Sequence, residues 1–191
     1  MDKTYYTWQD LETAADCIML CMMKDPWLPQ CVVGLTRGGL PLALILSHRI
    51  GIPMHTVKVQ LRDGMPDEDT ESNLWLPEMA VGYVLEEQRA VTKSRWDINR
   101  RHNILVVDDI NDTGNTFNWI KKDWESTCFP NERDMWNSVW HENVRFATMT
   151  QNWGSSFQPD YWWHEVDKRE KNEWLVYPWE RDSWLKKENT K

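Results

Sequence analysis

Residues 104–116 read ILVVDDINDTGNT, and this stretch decides the fold. Ile104 to Val107 form an apolar run without alternation, the pattern of a strand covered on both faces. The run ends on two adjacent acids, Asp108 and Asp109, and a third, Asp112, precedes Thr113, Gly114, Asn115 and Thr116. A turn after a buried strand needs only one or two polar residues. TFNWIKKDWES then follows with Phe117, Ile120 and Trp124 at helical spacing, so the loop runs directly into a helix N-terminus. Backbone N–H groups and the two threonine hydroxyls converge there, which suits a phosphate. Two carboxylates would repel that phosphate unless they met hydroxyl donors or a cation. Vicinal sugar hydroxyls answer the first need and Mg²⁺ the second. Acids also cap helices and solvate turns, but the full pattern hhhhDDxxDTGxT favours a sugar phosphate. The loop has neither the GxxxxGK[ST] lysine of a P-loop nor the GxGxxG of a dinucleotide fold.

Working outward, the chain alternates strands and helices. TWQDLETAADCIMLCMM begins with Thr7 and Asp10 as a capping-box variant and carries Leu11, Ala15, Ile18 and Met22 on one face, until Pro26. CVVGLT predicts a buried strand, RGGLPLALILSHRI a turn and helix closed by Gly51, and HTVKVQL a second strand. Beyond residue 116, VRFATMT, YWWHEV and EWLVYPWE read as further extended pieces. The order predicts an α/β fold with a mainly parallel sheet, in which ligands sit outside the carboxyl ends of the strands. Two strand ends carry unusual residues, the acidic loop and Leu35-Thr36-Arg37-Gly38-Gly39. Between residues 62 and 101 the periodicity dissolves, with a short helix expected around 77–89 or 92–101. A long irregular segment in a small domain predicts a lid, a binding loop or a surface insert.

Composition excludes several classes. The 191 residues carry a net charge of −8 without a basic cluster, which disfavours nucleic acid as a partner. The four cysteines and five histidines share no metal-ligand spacing, and Cys17 and Cys21, one turn apart, read as packing. No signal sequence or membrane-length apolar run is evident, so a cytoplasmic setting is expected. Fourteen tryptophans are more than packing requires, and some should be exposed.

VVDDINDTGNT resembles the phosphoribosyl pyrophosphate (PRPP) motif of the type I phosphoribosyltransferases, and LTRGG resembles their pyrophosphate loop. The order TWQDL, VGLTRGGLPLALILSHRIGIP, the motif, PDYWWHEV and EWLVYPWE is similar to xanthine-guanine phosphoribosyltransferases of bacteria and their phage-encoded relatives. The resemblance implies a single domain over 1–191, with a parallel sheet flanked by helices. It also implies a flexible loop within 62–101 and a small base-binding hood within 151–191.

By the same resemblance, Asp108 and Asp109 bind the ribose hydroxyls, Asp109 lies near Mg²⁺, and Asp112, Thr113, Gly114, Asn115 and Thr116 hold the 5-phosphate. Thr36, Arg37 and Gly38 hold pyrophosphate in a loop with a non-proline cis peptide. Asp112 is the acid/base and, with Arg37, the catalytic set. Trp174 stacks on the base and Leu175 reads its edge. Where purine enzymes carry a lysine for the exocyclic oxygen, this chain has Gln151 or Asn152. Lys58, Arg62 or Arg89 could also reach phosphate. The expected partners are PRPP and a nucleobase, in a homo-oligomer (dimer or tetramer) in the cytoplasm, or the host cytoplasm for a phage protein. Two alternatives are a PRPP-responsive regulator without transfer activity and a transferase for another base.

Overall fold

The computed structural model describes residues 2–62, 65–66, 70, 75–89, 94–127, 133–171 and 173–180. Its core is a five-stranded sheet built from β2 (Cys31–Thr36), β3 (Met54–Lys58), β6 (Ile104–Asn111), β7 (Val144–Asn152) and β8 (Tyr161–Val166). The spatial order is β3-β2-β6-β7-β8, and every neighbouring pair is parallel. The apolar run of 104–107 therefore lies in the central strand, as its lack of alternation requires.

Side chains of successive strand residues point to opposite faces, and two cores result. On one face Val33, Leu35, Ile104, Val106 and Phe146 pack against Phe117, Ile120 and Trp124 of α4 (Asn115–Thr127). On the other, Val32, Leu105, Val107, Ala147 and Met149 meet α1 (Trp8–Met23) and α2 (Leu40–Ile50). Helix α1 starts where the sequence indicates: the Thr7 hydroxyl accepts from Asp10 N at 3.1 Å, and Asp10 Oδ2 accepts from Thr7 N at 2.7 Å. Helix α2 closes on Gly51 in the left-handed conformation. Trp124, Trp136 and Trp140 are core residues, whereas Trp8, Trp153 and Trp174 are exposed.

Two features lie beyond the sequence reading. The polar segment β1 (Asp2–Tyr5) is a strand, paired in parallel with β9 (Glu173–Val176) in a separate two-stranded sheet. Part of the irregular segment 62–101 is also built into the core. Helix α3 (Trp75–Val81) places Leu76, Ala80 and Val81 in the first core. Asn143 Nδ2 donates to Ala80 O and His102 O at 2.8 and 2.9 Å, tying α3 and the residues before β6 to the residue that precedes β7. The hairpin β4 (Leu61–Arg62) and β5 (Met65–Pro66) precedes it, and residues 63–64, 67–69, 71–74 and 90–93 lie outside the described set. A short helix, α5 (Arg133–Asn137), lies before β7.

Candidate active site

The chain turns one way after β2, toward β3, and the other way after β6, toward β7 and β8. The carboxyl ends of β2 and β6 therefore flank the switch point, where an open parallel sheet leaves a crevice. A cleft of about 1050 Å³ opens there, and Thr36, Arg37, Gly38, Lys58, Asp108 and Asp109 line it. A smaller hollow of about 230 Å³ is lined by residues 108–117, from the acids into the first turn of α4.

The two loops fit closely together. A Cβ at Gly38 would overlap the Asp109 carboxylate, and one at Gly39 would overlap the Val107 carbonyl. Small residues here let the β2 loop lie directly on the end of β6. The Thr36–Arg37 peptide is cis, as the resemblance implies. Gly114 has φ +87°, a conformation open to glycine at no steric cost, and its turn is strapped from outside. Ser156 N and Oγ both donate to Thr113 O, at 3.0 and 2.8 Å, and Asn118 Nδ2 donates to Ser156 Oγ at 3.1 Å.

Burial, then the charge of Asp109 beside it, pushes the Asp108 carboxyl well above its ordinary range. Burial likewise raises Asp109 to about 6; the Ile110 N–H that donates to it at 2.8 Å works against this, and Glu180 adds repulsion. Negative charge crowded in this way is relieved by hydroxyl donors or a cation. An all-oxygen carboxylate pair is the donor chemistry Mg²⁺ takes. Asp108 and Asp109 therefore fit the ribose and metal roles that the motif suggests.

Asp112 lies at the far end of the same loop. Its Oδ2 accepts from Lys168 Nζ at 2.8 Å, and its Oδ1 and backbone carbonyl accept from Asn152 Nδ2 at 3.0 and 2.9 Å. Asn152 Oδ1 in turn accepts from the backbone N–H of Lys168 at 3.2 Å. One amide thus holds the acid and the ammonium side by side.

Gln151, the expected base contact, lies at the end of β7. It is buried, its Oε1 accepts from Asn111 Nδ2 at 2.6 Å, and its Nε2 donates to Asn152 O at 2.9 Å, so its amide is engaged inside the sheet end. Trp174 is 56% exposed on β9, whereas Leu175 is buried beside it. Trp179 and Glu180, from the short 3₁₀ turn Pro178–Glu180, face the large cleft. Sequence reasoning assigned no role to Lys168, Trp179 or Glu180. Lys168 sits in the charged run DKREK, which reads as a solvated turn.

Among the described residues, no group of three His, Cys, Asp or Glu side chains forms a ready metal cage, and no helix is long and apolar enough to cross a membrane.

Residues 3–128 match the family model for the phosphoribosyl transferase domain. No curated protein matches the sequence. Among solved structures, the chain is similar to a purine phosphoribosyltransferase from Pyrococcus horikoshii, with TM-score 0.60 and 21% identity over 96% of this chain and 97% of that one. It is similar too to the Helicobacter pylori xanthine-guanine-hypoxanthine phosphoribosyltransferase, with TM-score 0.60 and 16% identity over 97% and 95%. A Neisseria gonorrhoeae protein solved with bound ppGpp gives TM-score 0.58 and 18% identity over 97% and 93%. At such identities the structures speak for the fold. The family match over most of the chain, the five-stranded parallel sheet and the acidic loop at its switch point agree, and the chain belongs to the type I phosphoribosyltransferase family.

Proposed function

We propose that the protein transfers the 5-phosphoribosyl group of PRPP to a purine base (guanine, xanthine or hypoxanthine), releasing pyrophosphate and forming a nucleoside 5′-monophosphate. The observation that carries this reading is the shared cleft, in which the Thr36–Gly38 loop and the Asp108–Asp109 pair lie against each other with the 108–117 hollow alongside. One elongated ligand with a pyrophosphate, vicinal hydroxyls and a terminal phosphate meets all three surfaces.

In this mechanism Asp112 to Thr116 hold the 5-phosphate on the loop amides and hydroxyls at the start of α4. Asp108 and Asp109 take the ribose hydroxyls, and Asp109 also holds Mg²⁺. When bound, Mg²⁺ offsets charge on the departing pyrophosphate. Arg37 and the amides of its loop also offset charge on the leaving pyrophosphate, as a preorganised electrostatic contribution. The bond between C1 and the pyrophosphate oxygen breaks with its electron pair leaving on pyrophosphate, and a ring nitrogen of the base bonds to C1. Asp112 accepts the proton that this nitrogen sheds. No protein nucleophile is required. The cation-like C1 must be kept from water, and segment 62–101 is assigned that covering role, anchored through α3.

The base assignment rests on the Asp112–Lys168 pair. A carboxylate that accepts beside an ammonium that only donates is complementary to a ring nitrogen next to an exocyclic oxygen. A 6-oxopurine offers that edge, and adenine, with an amino group there, does not. Trp174 stacks on the ring and Leu175 reads its other edge through the backbone.

The test is pyrophosphate release from PRPP and Mg²⁺ with guanine, xanthine, hypoxanthine, adenine, uracil or orotate, against a control without base. Release with 6-oxopurines alone is expected. Release with a pyrimidine alone would overturn the base assignment. PRPP binding without release for any base would replace catalysis by a PRPP-responsive regulatory role.

A further inference from the structure

Tyr6, Thr150 and Tyr177 are buried almost completely among apolar side chains of the second core. Phenylalanine or valine would fill such positions without a polar group to satisfy, so three hydroxyls in one place need a reason. They form a row. Tyr6 OH lies 2.6 Å from His164 Nδ1 and 3.3 Å from Thr150 Oγ1, and Tyr177 OH lies 3.1 Å from Thr150 Oγ1. The row ends at the site: Tyr177 OH donates to the backbone carbonyl of Asp109 at 3.3 Å.

Asp109 lies beyond the part of β6 that β2 supports, since that ladder ends at Val107. The Tyr177 ring stacks on two others, on Tyr6 at 5.2 Å with the planes 22° apart and on Trp179 at 5.0 Å with the planes 8° apart. Stacking on two neighbours holds the ring in place and with it the position of its oxygen beside the Asp109 carbonyl.

We propose that Tyr177 is a positioning residue, whose clamped hydroxyl sets the Asp109 backbone and thereby aims the Asp109 carboxylate at the ribose and Mg²⁺ of bound PRPP. The inference rests on the phosphoribosyltransferase reading of the cleft. It makes the C-terminal turn part of the PRPP site, because Tyr177 follows β9 directly and Trp179 lines the cleft.

Tyr177→Phe tests this, since it removes the hydroxyl and keeps the stacked ring. Tyr6→Phe is the comparison, because it also deletes a buried hydroxyl of the row but does not touch Asp109. Mg²⁺–PRPP binding is measured by calorimetry on both variants and the wild type, alongside melting temperature, KM for PRPP and kcat. Supporting groups behind metal ligands contribute roughly 10–100-fold in affinity, and about tenfold weaker Mg²⁺–PRPP binding is expected for Tyr177→Phe. KM should rise with it while kcat holds within about twofold, the pattern of lost uniform binding. Tyr6→Phe should lower the melting temperature without weakening binding. Equal melting losses in both variants with unchanged PRPP affinity would make the row structural only and overturn the proposal. Absence of PRPP binding by the wild type would overturn the reading of the cleft and this inference together.

Discussion

Lys168 and Asp112 are 2.8 Å apart, nitrogen to oxygen, although one follows β8 and the other follows β6. Strand β7 lies between them, and its last residue, Asn152, bonds to both. The ammonium is thus delivered from one strand further along the sheet than sequence position 151 or 152 would suggest. Replacing Lys168 by Met should lower kcat/KM for hypoxanthine and guanine by about 10–100-fold, the scale of a hydrogen bond from a charged group. PRPP affinity should change little. Steady-state kinetics with both purines and adenine checks this, and unchanged discrimination would remove Lys168 from base recognition.

Asp112→Asn leaves a side chain of the same shape that cannot take up a proton. General-base contributions are typically 10²–10⁴-fold, so kcat should fall by about 100-fold or more. Calorimetric PRPP binding should stay within about threefold. A variant with wild-type turnover would exclude Asp112 as the base.

Asp109→Asn should stabilise the protein without PRPP while weakening its use of PRPP and Mg²⁺. The Asp109 carboxyl stands at about 6 in the folded chain against an ordinary value of 3.8. A raised carboxyl favours the fold below the ordinary value, and that contribution is lost as pH rises from about 4 through 6. At pH 7.5 the ionised group therefore works against the fold, and the neutral amide would remove that cost. Melting temperature from pH 4 to 8 should fall more steeply for the wild type than for the variant. Equal slopes would mean that Asp109 is not held in an unfavourable ionised state.

Gly38→Ala puts a methyl group where the Asp109 carboxylate lies. One loop must then move away from the other. Displacement of a binding group by about 1 Å costs on the order of 100-fold in the reaction. PRPP-dependent turnover should fall by about that factor, with a stability loss of about 1–3 kcal/mol. Turnover close to wild type would show that the two loops do not act as one surface.

Trp174→Ala removes a ring that is more than half exposed, so the melting temperature should hardly change. Stacking on a base contributes about 1–3 kcal/mol, and KM for the purine should rise about 5–100-fold. An unaffected KM would place the stacking surface elsewhere, with Trp179 as the nearest aromatic ring on the large cleft.

The central strand and its loop were legible because their signals are local. Residues 104–107 show burial by composition alone, and the acids, glycine and threonines follow without interruption. The capping box at Thr7 and the helix stop at Gly51 are equally local. Lys168 was not legible, because its partner is brought close only by the order β6-β7-β8. A charged turn carries no mark of which carboxylate it will meet. Strand β1 was missed for a related reason: DKTY is polar and short, and it becomes a strand only through β9. Gln151 shows the reverse problem. The resemblance puts it at the base, and no local signal shows that its amide also meets Asn111, three residues after Asp108. The hydroxyl row was hidden because an isolated tyrosine or threonine in an apolar run looks the same whether its oxygen is bonded or not.

The pairing of Asp2 with Glu173 and of Tyr5 with Val176 has a temporal meaning as well as a spatial one. Strands β2 to β8 all precede β9 in the chain, so the five-stranded sheet and the first core can form while β1 waits without a partner. The β1–β9 ladder closes a loop that spans nearly all the described chain, and contacts of such separation form late. The Thr36–Gly38 and Asp108–Thr116 loops can therefore come together before the β1–β9 ladder closes. The surface carrying Trp174, Leu175 and Tyr177 is the last to be added, and with it comes the hydroxyl that reaches Asp109.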